Sequence, residues 1–351
     1  MTRSIRSFYM KRIFVVLLLF IPFFGNAQNE NDIVDFLNGG ISDGGKLMNA
    51  YLNPMIEELS YGFNGGWYHT AKAHKSLGFD FGVSLNAVWI PKSQNHFNPN
   101  ELNLQSTRLL SSSSEGEAPS IIGPKDETTY GVDLNNDGSF GDMVFGGPEG
   151  LDFKKNFKVS GVLAPMAQLG IGIYKNTDLK IRWMPEINVG ASKVNLLGFG
   201  VLHDIKQHIP GLRPVPIDLA VLVSYTNIKG STDLTGGTID RPVGDTQPQM
   251  ITYNMNAWLV QALISKKIAV VTFYGGVGYN AIKTTADVEG NYIIPGGSTN
   301  GVKDPLAFGF KNKSFRITAG VRFKFGPIYL NGDYSIQEYN TLSVGLGVAV
   351  R

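Results

Sequence analysis

The segment from Lys313 to Arg351 constrains the fold most strongly, because its side chains alternate between apolar and polar through three consecutive stretches. The alternation pauses at Gly326-Pro327 and resumes a second time from Leu342. A period of two over this length indicates β-strands with one apolar face and one face of charged residues or glycine. In the first stretch the apolar face is formed by Phe315, Ile317, Ala319, Val321, Phe323 and Phe325.

The composition favours one large β domain over two smaller soluble domains. Among the 351 residues there are 42 Gly, 21 Phe and 14 Tyr, and only 17% of the residues are charged. The absence of Cys excludes disulfides and thiol chemistry. The formal net charge of +2 includes a basic leader, so it gives no indication of a nucleic-acid partner.

The N-terminal residues 1–27 have the layout of a cleavable secretory signal peptide. Four basic residues precede an apolar run from Ile13 to Phe24, and small residues lead to Ala27, after which we place the cleavage. A membrane anchor is the alternative, but a run of roughly 12 apolar residues is shorter than the roughly 20 that a spanning helix needs. We therefore expect the rest of the chain to be exported.

Residues 28–76 do not alternate, and we expect them to form a helical plug in a barrel or a cap on its periplasmic mouth. The pattern predicts short helices over 32–37 and 46–59, the second bent or split at Pro54. A glycine-rich and aromatic cluster follows, and a loosely held leader to the first strand is the alternative reading of the whole region. The plug candidates are Pro54, Trp67, Tyr68 and His69.

Residues 77–351 predict an all-β fold, a transmembrane antiparallel β-barrel of about ten strands with a range of roughly 8–14. The connections at 175–176, 265–267 and 326–327 are tight, whereas those at 92–158, 230–249 and 286–313 are long and polar. With the N-terminus in the periplasm, every long connection lies outside. Outer-membrane barrels sort their loops in this way, and soluble sandwiches do not. The predicted localisation is the outer membrane of a Gram-negative bacterium, and outer-membrane lipid is a predicted partner.

The faces expected to line the lumen carry charges of both signs. We expect these charges to pair across a narrow barrel, with a selectivity ring as the less favoured alternative. Pro165 and Pro185 lie symmetrically about the turn near Lys175, and they predict a local bulge or opening because proline donates no ladder hydrogen bond. The lumen candidates are Asp80, Lys180, Arg182, Glu186, Arg316, Arg322, Lys324 and Asp333, together with Asp218, Asn254 and Asn256.

Several stretches resemble a family of Gram-negative outer-membrane proteins of unknown function. The resemblance covers the whole mature chain through residues 51–54, 65–72, 77–80 and 197–206, and its most specific parts are Gly65-Gly66-Trp67-Tyr68 and His203-Asp204-Ile205-Lys206. It implies a secreted barrel and supplies no catalytic residues. A weaker likeness links Asn53-Pro54 and the N-terminal plug to the long-chain fatty acid transporter, whose barrel has more strands.

Two stretches have the spacing of ligand sites. Asp133, Asn135, Asp137 and Asp142 place oxygen atoms as calcium loops do, although Val144 stands where the bidentate Glu is expected. The alternative is a cluster of Asx turns in a flexible external loop. His203, Asp204 and His208 suggest a metal or acid/base site, but a capping or turn role is favoured next to Pro210. Calcium is the only candidate cofactor.

We expect passage or binding of a small, hydrophobic molecule through or in the barrel. The alternative is a structural or surface-interaction barrel whose long external loops bind a partner while the ion-paired lumen stays closed. We do not expect an enzyme, because the long loops contain no Ser, His and acid arrangement that spacing identifies.

Overall fold

The computed structural model describes residues 30–89, 91–152, 161–189, 191–235, 239–295 and 300–350. The predicted signal peptide lies outside these residues. Ten strands form a closed antiparallel barrel, as the alternation predicted. The barrel strands are β1 (Phe79–Trp89), β7 (Gly161–Gly172), β8 (Thr177–Val189), β9 (Ser192–Asp204), β10 (Asp218–Asp233), β11 (Met250–Ile268), β12 (Val271–Glu289), β15 (Leu306–Phe325), β16 (Ile328–Ile336) and β17 (Thr341–Val350).

The barrel closes where β1 pairs with β17, from Phe79 opposite Val350 to Val88 opposite Thr341. The apolar face of the alternation points outward, and Phe315 is 81% exposed on it. An exposed apolar band around a closed barrel is the surface that a membrane barrel presents to lipid. The outward direction of this face agrees with the predicted barrel, and its contact with lipid stays a prediction.

Several strands are longer than the alternation indicated. β15 begins at Leu306 instead of Ser314, and β12 ends at Glu289 instead of Lys283. β11 runs to Ile268, so the tight turn expected at 265–267 lies at residues 269–270. The segment after β9 was predicted to contain a short helix, and the structure has only a 3-10 turn, Lys206–His208, before β10. Polar ends of long strands carry no apolar period, so sequence alternation underestimates their length.

The region 92–158 was predicted as one irregular loop, and this prediction is wrong for residues 92–152. This part forms two 3-10 turns, Lys92–Gln94 and Pro99–Leu102, and two small sheets. Residues 153–158 lie outside the described residues. The strands of the small sheets are β2 (His96–Phe97), β3 (Thr107–Ser112), β4 (Ala118–Pro119), β5 (Thr128–Val132) and β6 (Met143–Gly147), and β13 (Asn291–Tyr292) pairs with β14 (Val302–Lys303) in a later loop.

The N-terminal segment enters the barrel from the end that carries the long loops. It begins with a 3-10 helix, Glu30–Gly39, and continues as α1, Gly40–Phe63, which runs through Pro54 without ending there. Asp43 accepts backbone hydrogen bonds from Gln105, Ser106 and Thr107 in the long loop. The predicted cap on the periplasmic mouth is therefore wrong. None of the described helices is long and apolar enough to cross a membrane.

From Asn64 the chain continues down the lumen to the short-turn end, where Leu77 donates a backbone hydrogen bond to Gly172 and β1 begins. We call residues 30–78 the plug. Its upper part shares an apolar core with the long loops, because Phe36, Tyr51 and Leu52 are buried together with Tyr130, Phe145 and other loop residues. Plug and loops therefore form one folded unit above the barrel.

Candidate functional site

The lower part of the plug fills the lumen with aromatic side chains. Trp67 is 1% exposed and lies against β9, where a Cβ added at Gly200 would come 3.1 Å from its indole ring. A Cβ at Gly198 would come 3.2 Å from the same ring. Any larger side chain at these inward positions would occupy the space of the indole. The glycines of the polar face are therefore what allow the wall to accept the plug.

Two arginines of the wall hold the end of α1. Arg182 donates to the carbonyl of Phe63 at 2.9 Å, and Arg316 donates to the carbonyl of Asn64 at 3.0 Å. The guanidinium of Arg182 also lies 3.9 Å above the ring of Trp67. Carbonyls at a helix C-terminus carry partial negative charge and favour cations. These buried arginines therefore bind the plug and do not line an open path.

A cluster of ionisable side chains joins the plug to the wall at the short-turn end. The Nδ1 atom of His74 lies 2.8 Å from Asp178, and its Nε2 atom lies 3.5 Å from Asp80. Asp80 also lies 3.7 Å from Lys180 and 3.6 Å from His69. The donor atoms of His74, Asp80 and Asp178 lie within 4.8 Å of one another. Each ring nitrogen of His74 faces a different carboxylate, so the imidazole links the plug to β1 through Asp80 and to β8 through Asp178.

The structure places most of the expected lumen residues in the inner wall. Asp80, Lys180, Arg322 and Asp333 are buried there, and Asp333 accepts a hydrogen bond from Tyr274 at 2.9 Å. Lys324 is half-buried near the rim and donates to the carbonyl of Ala349. The wall charges meet plug atoms and each other, so the ion-paired interpretation describes this lumen better than a ring of free charges.

Three of the expected lumen residues face outward instead. Glu186 is exposed, because the pairing of β8 with β9 shifts register between Met184 and Ile187 and interrupts the alternation. Asn254 and Asn256 share the outward face of β11 with Trp258, so polarity alone misassigned them. The position of Pro185 beside Glu186 was the signal in the sequence that alternation would fail at this point.

The inner wall has an apolar belt at the level of the end of α1. We call it the methionine belt because Met166, Met184 and Met255 are all buried in it. It packs against Tyr61 and Phe63 of the plug. Methionine side chains are flexible and adapt to irregular partners. The other wall residues of the belt include Val88, Ala164, Leu196, Ile228, Ala257 and Ile282.

The barrel ladder is incomplete beside this belt. Within the described strands, β7 pairs with β8 only from Gly172 opposite Asp178 to Ala167 opposite Trp183. Over the same upper region β7 stays paired with β1 as far as Gly161. Continuing the register would place Pro165 opposite Pro185, and neither proline has an N–H to donate. The two prolines therefore mark the point at which the β7–β8 ladder ends.

The calcium-like loop is a set of hydrogen-bonded turns. Asp133 accepts from the backbone N–H groups of Asp137 and Gly138, and Asp142 accepts from those of Leu134 and Asn135. Only the bond from the Ser139 N–H to Asp137 has the spacing of an Asx turn among these, because the bonds to Asp133 and Asp142 join residues four to eight positions apart. Calcium binding at this loop stays a prediction.

Two other groups of polar side chains come together. His203 and His208 have ring nitrogens 3.0 Å apart at the short-turn end. In the long loop, His96, Ser114 and Asp126 meet, a grouping that the sequence spacing did not reveal. Both Ser114 and Asp126 contact Nε2 of His96, whereas a catalytic triad needs the carboxylate at Nδ1. The hydrogen bonds from Ser114 and His96 hold the pKa of Asp126 below its usual range.

Comparison with solved structures returns outer-membrane barrels at low similarity. Ail, the attachment invasion locus protein of Yersinia pestis, is 9% identical, with 78% of this chain and 98% of that chain covered and a TM-score of 0.26. The translocator domain of the autotransporter NalP from Neisseria meningitidis is 10% identical, with 88% and 98% covered and a TM-score of 0.29. The TodX monoaromatic hydrocarbon channel, a ΔS2S3 mutant, is 9% identical, with 78% and 67% covered and a TM-score of 0.24.

These identities and TM-scores are too low to transfer a function. No curated protein sequence matches the chain at a significant level. A family profile described as a family of unknown function, DUF6588, matches residues 10–350. That match spans nearly the whole chain, including the plug and all ten barrel strands. The chain therefore belongs to the DUF6588 family.

Proposed function

We propose that this outer-membrane barrel binds a small hydrophobic molecule at the methionine belt and exchanges it with the membrane through the upper β7–β8 segment. The observation that carries the proposal is the end of the β7–β8 ladder at Ala167 and Trp183, directly beside buried Met166 and Met184. A lateral opening between β7 and β8 would connect the apolar methionine belt directly to the apolar interior of the membrane. A hydrophobic ligand would then avoid water along its path.

An axial route is less compatible with this lumen. Trp67 and Arg182 are buried at the middle of the barrel, and His74, Asp80 and Lys180 close its short-turn end. A hydrophobic molecule moving down the axis would have to displace charged groups from their partners, which costs several kcal/mol. Opening the unpaired β7–β8 segment breaks no ladder hydrogen bond among the described residues. We therefore propose lateral exchange without release of the lower plug.

A disulfide across the opening tests this route, because the chain has no cysteine of its own. The variant Pro165→Cys/Pro185→Cys should close the upper segment when oxidised. A photoactivatable diazirine fatty acid is added to outer membranes that contain the variant, and cross-linked peptides report whether it reaches the methionine belt. We expect no cross-linked belt peptides from the oxidised variant. Reduction should restore the labelling.

The control pair is Leu169→Cys/Ile181→Cys, at positions that are directly opposite in the paired part of the same two strands. Its oxidation should leave belt labelling unchanged, since that part of the ladder is already closed. Equal labelling of oxidised and reduced Pro165→Cys/Pro185→Cys protein, with the disulfide verified by mass spectrometry, would contradict lateral exchange.

The folded unit above the barrel favours one other candidate function, surface interaction with a partner. The loop sheet of β3, β5 and β6 leaves Leu110 49% and Val144 54% exposed. Replacing both with Ser would remove this exposed apolar surface without changing the core that the loops share with the plug. If surface interaction is the function, Leu110→Ser/Val144→Ser abolishes the partner-dependent phenotype while diazirine labelling of the belt is unaltered.

We further propose that the protein reaches the outer membrane through a cleaved signal peptide ending at Ala27 and that it has no catalytic role. N-terminal sequencing of the membrane-extracted protein tests the first point, with Gln28 as the expected first residue.

A further inference from the structure

The outward wall of β10, β11, β12 and β15 carries a row of lysines above its apolar band. Asn227 lies opposite Asn256, Asn256 opposite Lys283, and Lys283 opposite Lys311, so one cross-strand row runs over four strands. Lys313 follows Lys311 on the same outward face of β15, and Lys229 follows Asn227 on β10. All four lysines are exposed.

These four lysines carry like charges on neighbouring strands and therefore repel one another. Like charges directly opposite on neighbouring strands are destabilising, and Lys283 and Lys311 are such a pair. Within the described part of the chain, no carboxylate lies within 4.0 Å of any of the four ammonium groups. Asp287 and Glu289 lie further along β12, beyond the row. A row of this kind attracts anionic groups from outside the protein.

The asparagines of the row form hydrogen bonds with one another, with Asn254 and with the aromatic side chain directly below them. The hydroxyl of Tyr225 donates to Asn256 at 2.6 Å, and Asn227 donates to Asn254 and Asn256 at 2.9 and 3.0 Å. Tyr225 packs on Trp258 with ring centroids 4.9 Å apart. Aromatic side chains at this position are typical of the membrane–water interface. The lysines therefore lie at the level of lipid head groups.

A groove in the lipid-facing wall begins at the same aromatic pair and extends toward the short-turn end. Its volume is about 440 Å³, and its lining is almost entirely apolar. Val223 in the groove lies opposite Val260, which lies opposite Tyr279 on β12. Lys283 is four residues beyond Tyr279, about 13 Å along the strand at roughly 3.3 Å per residue. One lipid can therefore reach both places, with an acyl chain in the groove and its head group at the lysine row. The groove is lined by Leu179, Ile181, Phe199, Val201, Val223 and Trp258.

We propose that this wall binds a phosphorylated glycolipid of the outer leaflet, of the lipid A class, with an acyl chain in the groove and a phosphate at Lys283, Lys311 and Lys313. The long-loop end of such barrels faces outward, so the row meets the outer leaflet. Phosphate supplies the missing counter-charge, and the asparagines supply donors for sugar or phosphate oxygens. The glycolipid would thus compensate a repulsion that the protein does not compensate itself.

Native mass spectrometry of the full-length, detergent-extracted protein tests the proposal by titration with purified lipid A. The variant Lys283→Gln/Lys311→Gln/Lys313→Gln should bind lipid A roughly tenfold or more weakly, because each lysine near a head group contributes to binding. The control Lys266→Gln/Lys267→Gln removes two exposed lysines at the opposite end of β11 and should bind as the wild type does. Heat-modifiable migration verifies that both variants are folded.

Phosphatidylglycerol serves as the second titrant, since it carries a phosphate on a different lipid. We expect it to bind more weakly than lipid A and to depend less on the three lysines. Equal lipid A binding by the triple variant and the wild type would overturn the proposal. Phosphatidylglycerol binding as tight as that of lipid A, with the same lysine dependence, would overturn the assignment to a glycolipid.

Discussion

At the residue scale, the packing of Trp67 against the wall depends on inward glycines of β9. The alternation of the sequence placed these glycines on the inner face but did not show what they contact. A Cβ at Gly200 would lie 3.1 Å from a ring carbon of Trp67, so the larger side chain of valine would clash with the indole. Overpacking of this kind lowers the free energy of unfolding by about 1–3 kcal/mol. We expect Gly200→Val to lower the temperature at which the folded band converts to the unfolded band on a gel. Gly309→Val is the control, because no atom lies within 4 Å of a Cβ at Gly309.

Glu58 is a second residue-scale case, which no pattern in the sequence revealed. It is fully buried in α1, and neither carboxylate oxygen has a hydrogen-bond partner among the described residues. Because an unpaired buried polar group is costly, Glu58→Met should stabilise the protein by about 1–3 kcal/mol. Its neighbour Glu57 accepts a hydrogen bond from Tyr339 at 2.6 Å, so Glu57→Met should not stabilise. Thermal unfolding of the two variants in the same detergent distinguishes them, and a destabilised Glu58→Met would contradict this account.

Residue polarity was a poorer guide to lumen position than alternation. Asn254 and Asn256 were expected inside because they are polar, but their parity with Trp258 places them outside. Glu186 was expected inside from the alternation of β8, but the register shift between Met184 and Ile187 interrupts that alternation. The buried charges Arg182 and Arg316 were correctly expected in the wall, but their partners are plug carbonyls far away in sequence. Contacts between residues far apart in the sequence produce no periodic pattern, so the alternation could not predict these partners.

At the element scale, the strands could be predicted and the direction of the plug could not. Each barrel strand has an apolar outward face that lipid contact requires, so its period is visible in the sequence. Most side chains of the plug are buried, so the sequence pattern of α1 does not show which end of the barrel it enters. Its position is set by contacts such as Asp43 with residues 105–107.

The direction of the plug can be measured by cysteine labelling in intact cells. Ile41, at the start of α1, is 41% exposed at the long-loop end, so Ile41→Cys should react with a membrane-impermeant maleimide. Arg213→Cys lies in the connection between β9 and β10 at the short-turn end and should react only after the outer membrane is permeabilised. The opposite result, protection of Ile41→Cys in intact cells, would return the N-terminal segment to the periplasmic mouth.

At the scale of the whole molecule, the fold is a ten-stranded barrel occupied by its own N-terminal segment. The sorted loop lengths predicted the barrel because a membrane imposes different constraints on its two ends. They did not predict that the long loops fold onto the plug, since that core joins residues from distant parts of the chain. An occupied lumen and an incomplete β7–β8 ladder together make the wall, and not the axis, the proposed route.

One engineered disulfide tests the occupied lumen most directly. A Cβ at Gly62 of α1 would lie 3.4 Å from the Cβ of Ala164 on β7, close to disulfide geometry, and 2.9 Å from a methyl group of Val88. We therefore use Gly62→Cys/Ala164→Cys in a Val88→Ala background. The account predicts that oxidised, membrane-extracted protein yields the disulfide-linked peptide pair by mass spectrometry. Two free thiols, both reactive with a maleimide in the folded barrel, would contradict it.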